Sequence, residues 1–298
     1  MKFRRLAALA AALLLLAACG GEAAPSAPPT PSPSADTIPP NRYDSAAFVE
    51  AGGFLTYTGD AASIVGIDVS NHQGEIDWPR VAAAGVEFAM IRVGYRGYET
   101  GLINQDKSFL RNIEGAQAAG LDVGIYFFSQ AVTPEEAVRE AAQTVAWLEG
   151  YEIQYPVVFD WERQSAETSR TKDTDGAAIT ACAVAFCRMI QSAGYQPMVY
   201  GSPSKAYNLL DLEQVLDWPY WLAHYTEDRA PTTYQYHFDM WQYSDEGQVD
   251  GISVPVDLNL CLVDDYRTVD TDDPEVPPPP GENPGGQPSD EPSPEGGI

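Results

Sequence analysis

The chain is poor in positive charge. Its 298 residues hold 17 Lys and Arg against 43 Asp and Glu, for a formal net charge of −26, with only 3 His. Nucleic-acid binding needs a basic footprint, so no nucleic-acid partner is expected. An acidic surface instead favours a soluble monomer. Metal-ligand spacing is missing as well. There is no C-x-x-C pair among the 4 Cys, and His72, His224 and His237 are scattered, so neither a metal nor a cofactor is expected. No G-x-G-x-x-G, Walker loop or G-x-S-x-G elbow occurs, which removes the signatures of dinucleotide, nucleotide and nucleophile-elbow chemistry.

Both ends lack the apolar periodicity of a fold. In residues 1–19, Lys2, Arg4 and Arg5 precede an apolar run, Leu6 to Ala18, too short to span a bilayer with ease. This pattern reads as a signal peptide. Its end, Leu16-Ala17-Ala18-Cys19-Gly20, resembles a lipobox, with Cys19 as the lipidated residue and a membrane anchor as the consequence. Plain secretion is the alternative. Residues 20–40 are a Pro-, Ser- and Ala-rich spacer. Residues 268–298 are acidic and Pro/Gly-rich without Lys or Arg, a composition that cannot bury a core. Residues 41–61 form a lead-in whose Phe48, Phe54, Leu55 and Tyr57 are expected to dock on the domain that follows. That domain, residues 62–267, is the size of one α/β barrel.

Within it, strand-like runs alternate with helix-like ones. Strands are expected at 64–70, 87–94, 122–129, 155–162, 195–201, 220–225, 238–243 and 256–262. Helices are expected at 78–84, 107–119, 133–149 and 176–193, with a weaker one at 205–216. Thr133-Pro134-Glu135-Glu136 opens the third helix with an N-cap, a first-turn proline and a capping-box glutamate. The alternation implies parallel β-α-β units: one α/β barrel of eight strands and about five helices, irregular in its last third. Cys182, Cys187 and Cys261 are expected as buried apolar residues.

The fourth strand carries the chemistry. Tyr155-Pro156-Val157-Val158-Phe159 leads into Asp160-Trp161-Glu162. In a strand, residues i and i+2 project from one face, about 6.6 Å apart. The C-terminal strand ends are the catalytic face of such a barrel, and a converging carboxylate pair suits glycoside hydrolysis. Asp68 and Asp257 lie at the ends of other strands. Tyr95, Tyr126, Tyr200, Tyr225 and Trp241 fall at the same end, where rings would stack on sugar faces. The alternative for each ring is core filling.

The string Asp68-Val69-Ser70-Asn71-His72-Gln73-Gly74, with Ile76-Asp77-Trp78, Asp160-Trp161-Glu162, Trp241-Gln242-Tyr243 and Val256-Asp257-Leu258-Asn259, resembles the family 25 glycoside hydrolases, bacterial and phage muramidases. The resemblance covers about residues 62–265. It implies a flattened barrel and cleavage of the β-1,4 bond between N-acetylmuramic acid and N-acetylglucosamine in peptidoglycan strands. It implies Glu162 as general acid and Asp160 as the residue that orients the 2-acetamido group or stabilises the oxocarbenium-like intermediate. Asp68 and Asp257 are implied as outer acids shaping the −1 subsite. Two rivals remain at this level. A chitinase-like barrel would carry a further Asp four residues before Glu162, where Val158 stands. A non-catalytic peptidoglycan-binding lipoprotein would lack at least one of the acids. The retaining, inverting and substrate-assisted routes all remain open.

Overall fold

The computed structural model describes residues 37–264, apart from residue 230, together with Tyr266. Cys19 and its lipobox, nearly all of the spacer and the C-terminal tail lie outside the described residues.

A short hairpin of β1 (Phe48–Ala51) and β2 (Phe54–Tyr57) precedes the barrel. The barrel strands are β3 (Ile64–Val69), β4 (Phe88–Arg96), β6 (Asp122–Ser129), β7 (Val157–Trp161), β8 (Pro197–Gly201), β9 (Tyr220–Ala223), β10 (Met240–Gly247) and β11 (Val256–Cys261). The small strand β5 (Ile103–Gln105) adds to the edge of β4. The barrel closes because β3 pairs with both β4 and β11. Helices α1 (Trp78–Ala83), α2 (Phe109–Ala118), α3 (Pro134–Trp147), α4 (Gly176–Ser192) and α5 (Pro203–Asn208) follow successive strands. This is the expected barrel of eight strands and five helices.

The barrel strands from β3 to β10, the edge strand β5 aside, run parallel, but β11 is antiparallel to both neighbours. The cause is the short, helix-free connection from β10. A few residues can reverse a chain between neighbouring strands, whereas a parallel partner needs a crossover of a dozen or more. The strands alternate inward and outward residues. Phe88, Met90, Tyr126, Val158, Met198, Trp221 and Met240 form an inner cluster. Ile67, Ile91, Phe127, Phe159, Val199, Leu222 and Trp241 belong to the larger core between strands and helices.

Local chemistry sets the helix ends. Thr133 caps α3 by accepting from Glu136 N. The reciprocal bond differs from a capping box, because the Glu136 carboxylate accepts from Val132 N at 2.9 Å. Gly120 and Gly194 follow α2 and α4 with φ of 83° and 87°, a conformation glycine adopts at little cost. The expected helix over 205–216 is two pieces, α5 and a 3-10 turn at Leu212–Val215. Cys182, Cys187 and Cys261 are free and buried.

The lead-in packs where helices are missing. Tyr43 donates from its hydroxyl to Phe238 O at 2.8 Å, and Leu55 N donates to the Tyr243 hydroxyl at 3.1 Å. Phe48 meets Trp241 edge-on, with ring centroids 5.4 Å apart. Contact begins inside the stretch read as spacer, since His237 N donates to Pro39 O and Asn41 N to Gln235 O, both at 2.8 Å. The hairpin thus covers the outer face of β10.

Candidate active site

The C-terminal strand ends surround a cavity of about 710 Å³, lined among others by Asp68, Arg92, Tyr126, Asp160, Glu162, Tyr200, Trp221, Tyr225, Gln242 and Asp257. All four acids singled out by sequence therefore meet in one groove. A smaller cavity of about 300 Å³ lies among Trp218, Tyr220, Tyr234 and Tyr236, and none of the four acids lines it.

Asp160 projects from the end of β7 with Phe159 and Trp161 turned to the opposite face, into the core. Asp160 is 5% exposed. Burial, and next the negative charge of Glu162, push its carboxyl well above the usual carboxylate range, while Lys205 and Arg92 act the other way. Two close carboxyls of this kind share a proton and titrate as a pair. The Oδ1 atom of Asp160 has no hydrogen-bond partner among the described residues, so a donor arriving in the groove would find an acceptor waiting. Glu162 lies one residue beyond the strand. Its backbone carbonyl accepts from Gln130 Nε2 at 2.7 Å, and Gln130 is held by the Thr171 hydroxyl at 3.0 Å.

The second acidic pair lies on the closing ladder, where Asp68 on β3 and Asp257 on β11 are register partners. Asp68 Oδ2 accepts from Gln242 Nε2 and from Asn259 Nδ2, both at 2.8 Å. The amides are themselves oriented. Tyr200 and Tyr225 donate to Gln242 Oε1 at 2.8 and 2.9 Å, and Trp221 Nε1 donates to Asn259 Oδ1 at 2.8 Å. Each amide must then turn its N–H toward Asp68. Burial raises the Asp68 carboxyl, and hydrogen bonds from Asn259, Gln242 and Asp257 oppose that rise. Asp257 is pushed up to about 10, first by burial and then by the Asp68 charge. Asp257 is thus protonated at neutral pH, and the hydrogen bonds on Asp68 favour the anion there over one on Asp257. Burial also raises the phenols of Tyr126 and Tyr200, which keeps both as neutral donors.

Two of the five expected platforms stand elsewhere. Trp241 is fully buried in the outer core, with Nε1 donating to His224 O at 2.9 Å. The reason is strand parity: Gln242 faces the groove, so its neighbour must face away. Tyr95 does not line the groove. It is buried with the Arg92 guanidinium 5.5 Å from its ring centroid, beyond a register shift between Arg92 and Gly94. Tyr126, Tyr200 and Tyr225 do line the groove.

Several groove residues were not singled out as site residues in the sequence. Trp221 lines the groove from β9 while buried in the inner cluster. Gln242 and Asn259 were visible only as neighbours of the singled-out residues. Arg92 lines the groove and pairs with buried Asp106 at 2.8 Å. His72 also lines it. His224 bonds to Thr232 and His237 to Asp239.

The family model described as "Glycosyl hydrolases family 25" matches residues 67–252, a range that contains Asp68, Asp160 and Glu162 and ends before Asp257. The uncharacterized protein YegX of Escherichia coli K12 is 32% identical over 203 residues, covering 66% of this chain and 69% of YegX. The autolytic lysozyme of Clostridium acetobutylicum is 27% identical over 194 residues, covering 65% of this chain and 54% of that protein. Among solved structures, the modular autolysin LytC of Streptococcus pneumoniae superposes with a TM-score of 0.60 at 24% identity, over 72% of this chain and 52% of LytC. That likeness speaks to the fold. The chain spans about half the length of the LytC structure.

Proposed function

The chain belongs to family 25 of the glycosyl hydrolases, and from that premise we propose that it is a muramidase, cleaving the β-1,4 bond between N-acetylmuramic acid and N-acetylglucosamine in peptidoglycan. The observation that carries this reading is the convergence of Asp68, Asp160, Glu162 and Asp257 on one groove walled by Tyr126, Tyr200, Trp221 and Tyr225. Glycan needs what such a groove offers: rings for the apolar sugar faces and carboxyls for the hydroxyls and the reacting centre.

In the proposed mechanism Glu162 protonates the leaving oxygen. Asp160, buried and with an unpartnered oxygen, accepts the N–H of the 2-acetamido group and steadies positive charge as the glycosidic bond breaks. The active form of the pair carries one proton. Asp68, which accepts from two amides, and the neutral Asp257 shape the −1 subsite. The organisation of the chain supports a place outside the cell: a signal peptide, Cys19 as the lipid site, the spacer as a tether, and wall glycan as the partner of a monomeric enzyme.

The test is a digest of purified peptidoglycan with the full-length protein. Mass spectrometry should find new reducing ends on N-acetylmuramic acid. New reducing ends on N-acetylglucosamine, or no released fragments, would overturn the reading.

A further inference from the structure

We propose that Lys205 is a positioning residue for the Asp160–Glu162 pair: its ammonium joins the carbonyl of Trp161, which stands between the two acids, to the carbonyl of Tyr200 on the neighbouring strand, and so sets a buried positive charge at the strand end that carries both acids. This role rests on the muramidase reading, which it deepens.

The end of β7 is supported unequally. On one side the ladder with β6 continues as far as Ser129 opposite Trp161. On the other side the ladder with β8 stops at Phe159 opposite Val199, two residues earlier. Lys205 fills that gap. Its Nζ donates to Trp161 O at 2.7 Å and to Tyr200 O at 2.6 Å, so one cation replaces the missing ladder where the acids emerge. The sequence makes room for it. Ser202 caps α5 and Pro203 opens it, and a Cβ on Gly201 would stand 2.7 Å from Lys205 Cδ. Glycine at 201 therefore clears the path for the lysine stem.

Lys205 is only 7% exposed and is absent from the groove lining, so it acts through the acids and not on substrate. Burying an ammonium is costly unless its protons and charge are answered. The two carbonyls take two of its three protons. The charge is answered by Asp160 and Glu162 from β7, while the Tyr200 ring of β8 lies 6.0 Å away. Burial draws the ammonium down to about 8, and the two acids oppose that fall. Reciprocally, Lys205 draws the Asp160 carboxyl down, together with Arg92, against burial and the charges of Glu162 and Asp68. Without the cation, both proton losses of the pair move to higher pH.

Two measurements on the full-length protein test this. In Lys205→Met, which keeps the stem and removes the charge, kcat should fall with KM within about twofold. Both limbs of the pH–rate profile should move up by about one unit or more, the scale of a neighbouring opposite charge. A purely structural lysine would lower the melting temperature without moving the limbs, and that result in the folded variant overturns the proposal. The second measurement needs no Lys205 variant. The chain has only four lysines, so Cε resonances of 13C-lysine can be followed individually. One should titrate near 8 and shift to lower pH in Asp160→Asn, where its anion is lost. If all four titrate at the ordinary lysine value, the proposal fails even where Lys205→Met does not fold. A wild type that shows the shifted lysine but releases no muropeptides sinks the muramidase reading and leaves the lysine–acid cluster standing.

Discussion

Asp68 and Asp257 face each other across the antiparallel ladder that closes the barrel, and only Asp68 receives hydrogen bonds from Gln242 and Asn259. The asymmetry has a structural origin. Asp68 receives two amide hydrogens whose direction is enforced by two tyrosines and a tryptophan, so its anion is solvated by the protein. Asp257 keeps the proton. The pair thus avoids two adjacent negative charges at this wall of the groove.

This pair has a stability consequence. Asp257 titrates at about 10 when folded, against an ordinary value of 3.8. The folded state therefore binds the proton more tightly than the unfolded chain. The contribution to stability is full below about pH 4 and is lost as pH rises toward 10. Asp257→Asn keeps an N–H facing Asp68 and removes that loss. Thermal melts should show the variant more stable than wild type at pH 7–8 by at least about 1 kcal/mol, with no gain at pH 3–4, while muramidase activity falls. A wild-type advantage at pH 8 would mean that Asp257 is ionised in the folded protein.

Glu162→Gln should lower kcat by roughly 10²–10⁴-fold, the usual worth of a general acid, with the melting temperature within a degree or two of wild type. The amide keeps the shape and cannot give up a proton. Muropeptide release at near wild-type rate by the folded variant would remove Glu162 from the mechanism.

Trp241→Ala should cost about 3–5 kcal/mol of stability, the range for deleting a buried aromatic side chain, because Trp241 sits between the barrel wall and Phe48 of the lead-in. KM for soluble muropeptides, corrected for folded fraction, should stay within about twofold. A large rise in KM with unchanged melting would return Trp241 to the groove.

Cys19→Ala should abolish membrane partitioning and labelling by a fatty-acid probe, since a lipid chain adds about 0.8 kcal/mol per buried methylene. Wild-type protein found wholly in the medium and unlabelled would leave plain secretion as the reading.

Most of the architecture was legible in the sequence because burial wrote it there. Runs such as Phe88–Ile91 and Val157–Phe159 are apolar without interruption, the mark of strands covered on both faces, and the i, i+2 spacing of Asp160 and Glu162 survives any small error in strand limits. The same property hid the facing of β10. Where both faces are buried, apolar pattern cannot say which residue looks inward, so Trp241 was expected in the groove and lies in the outer core. In the buried part of β10, residues 240–243, Gln242 is the polar residue and marks the inner face. Lys205 was illegible for another reason. On a short helix it has the look of a solvated lysine, and its burial depends on the two strand ends and on Gly201, none of which is a local signal. The reversal of β11 could have been read from the helix-free connection before it.

The last strand also governs when the molecule becomes competent. β11 lies between β3 and β10 and brings Asp257 and Asn259. A chain ending before residue 256 holds three of the four acids but no closing ladder and no Asn259 donor for Asp68. Joining residue 64 to residue 261 is a contact of very long sequence separation, the kind that forms late. The groove is therefore complete only when residues 256–261 have joined β3, and a chain cut before them would lack that wall.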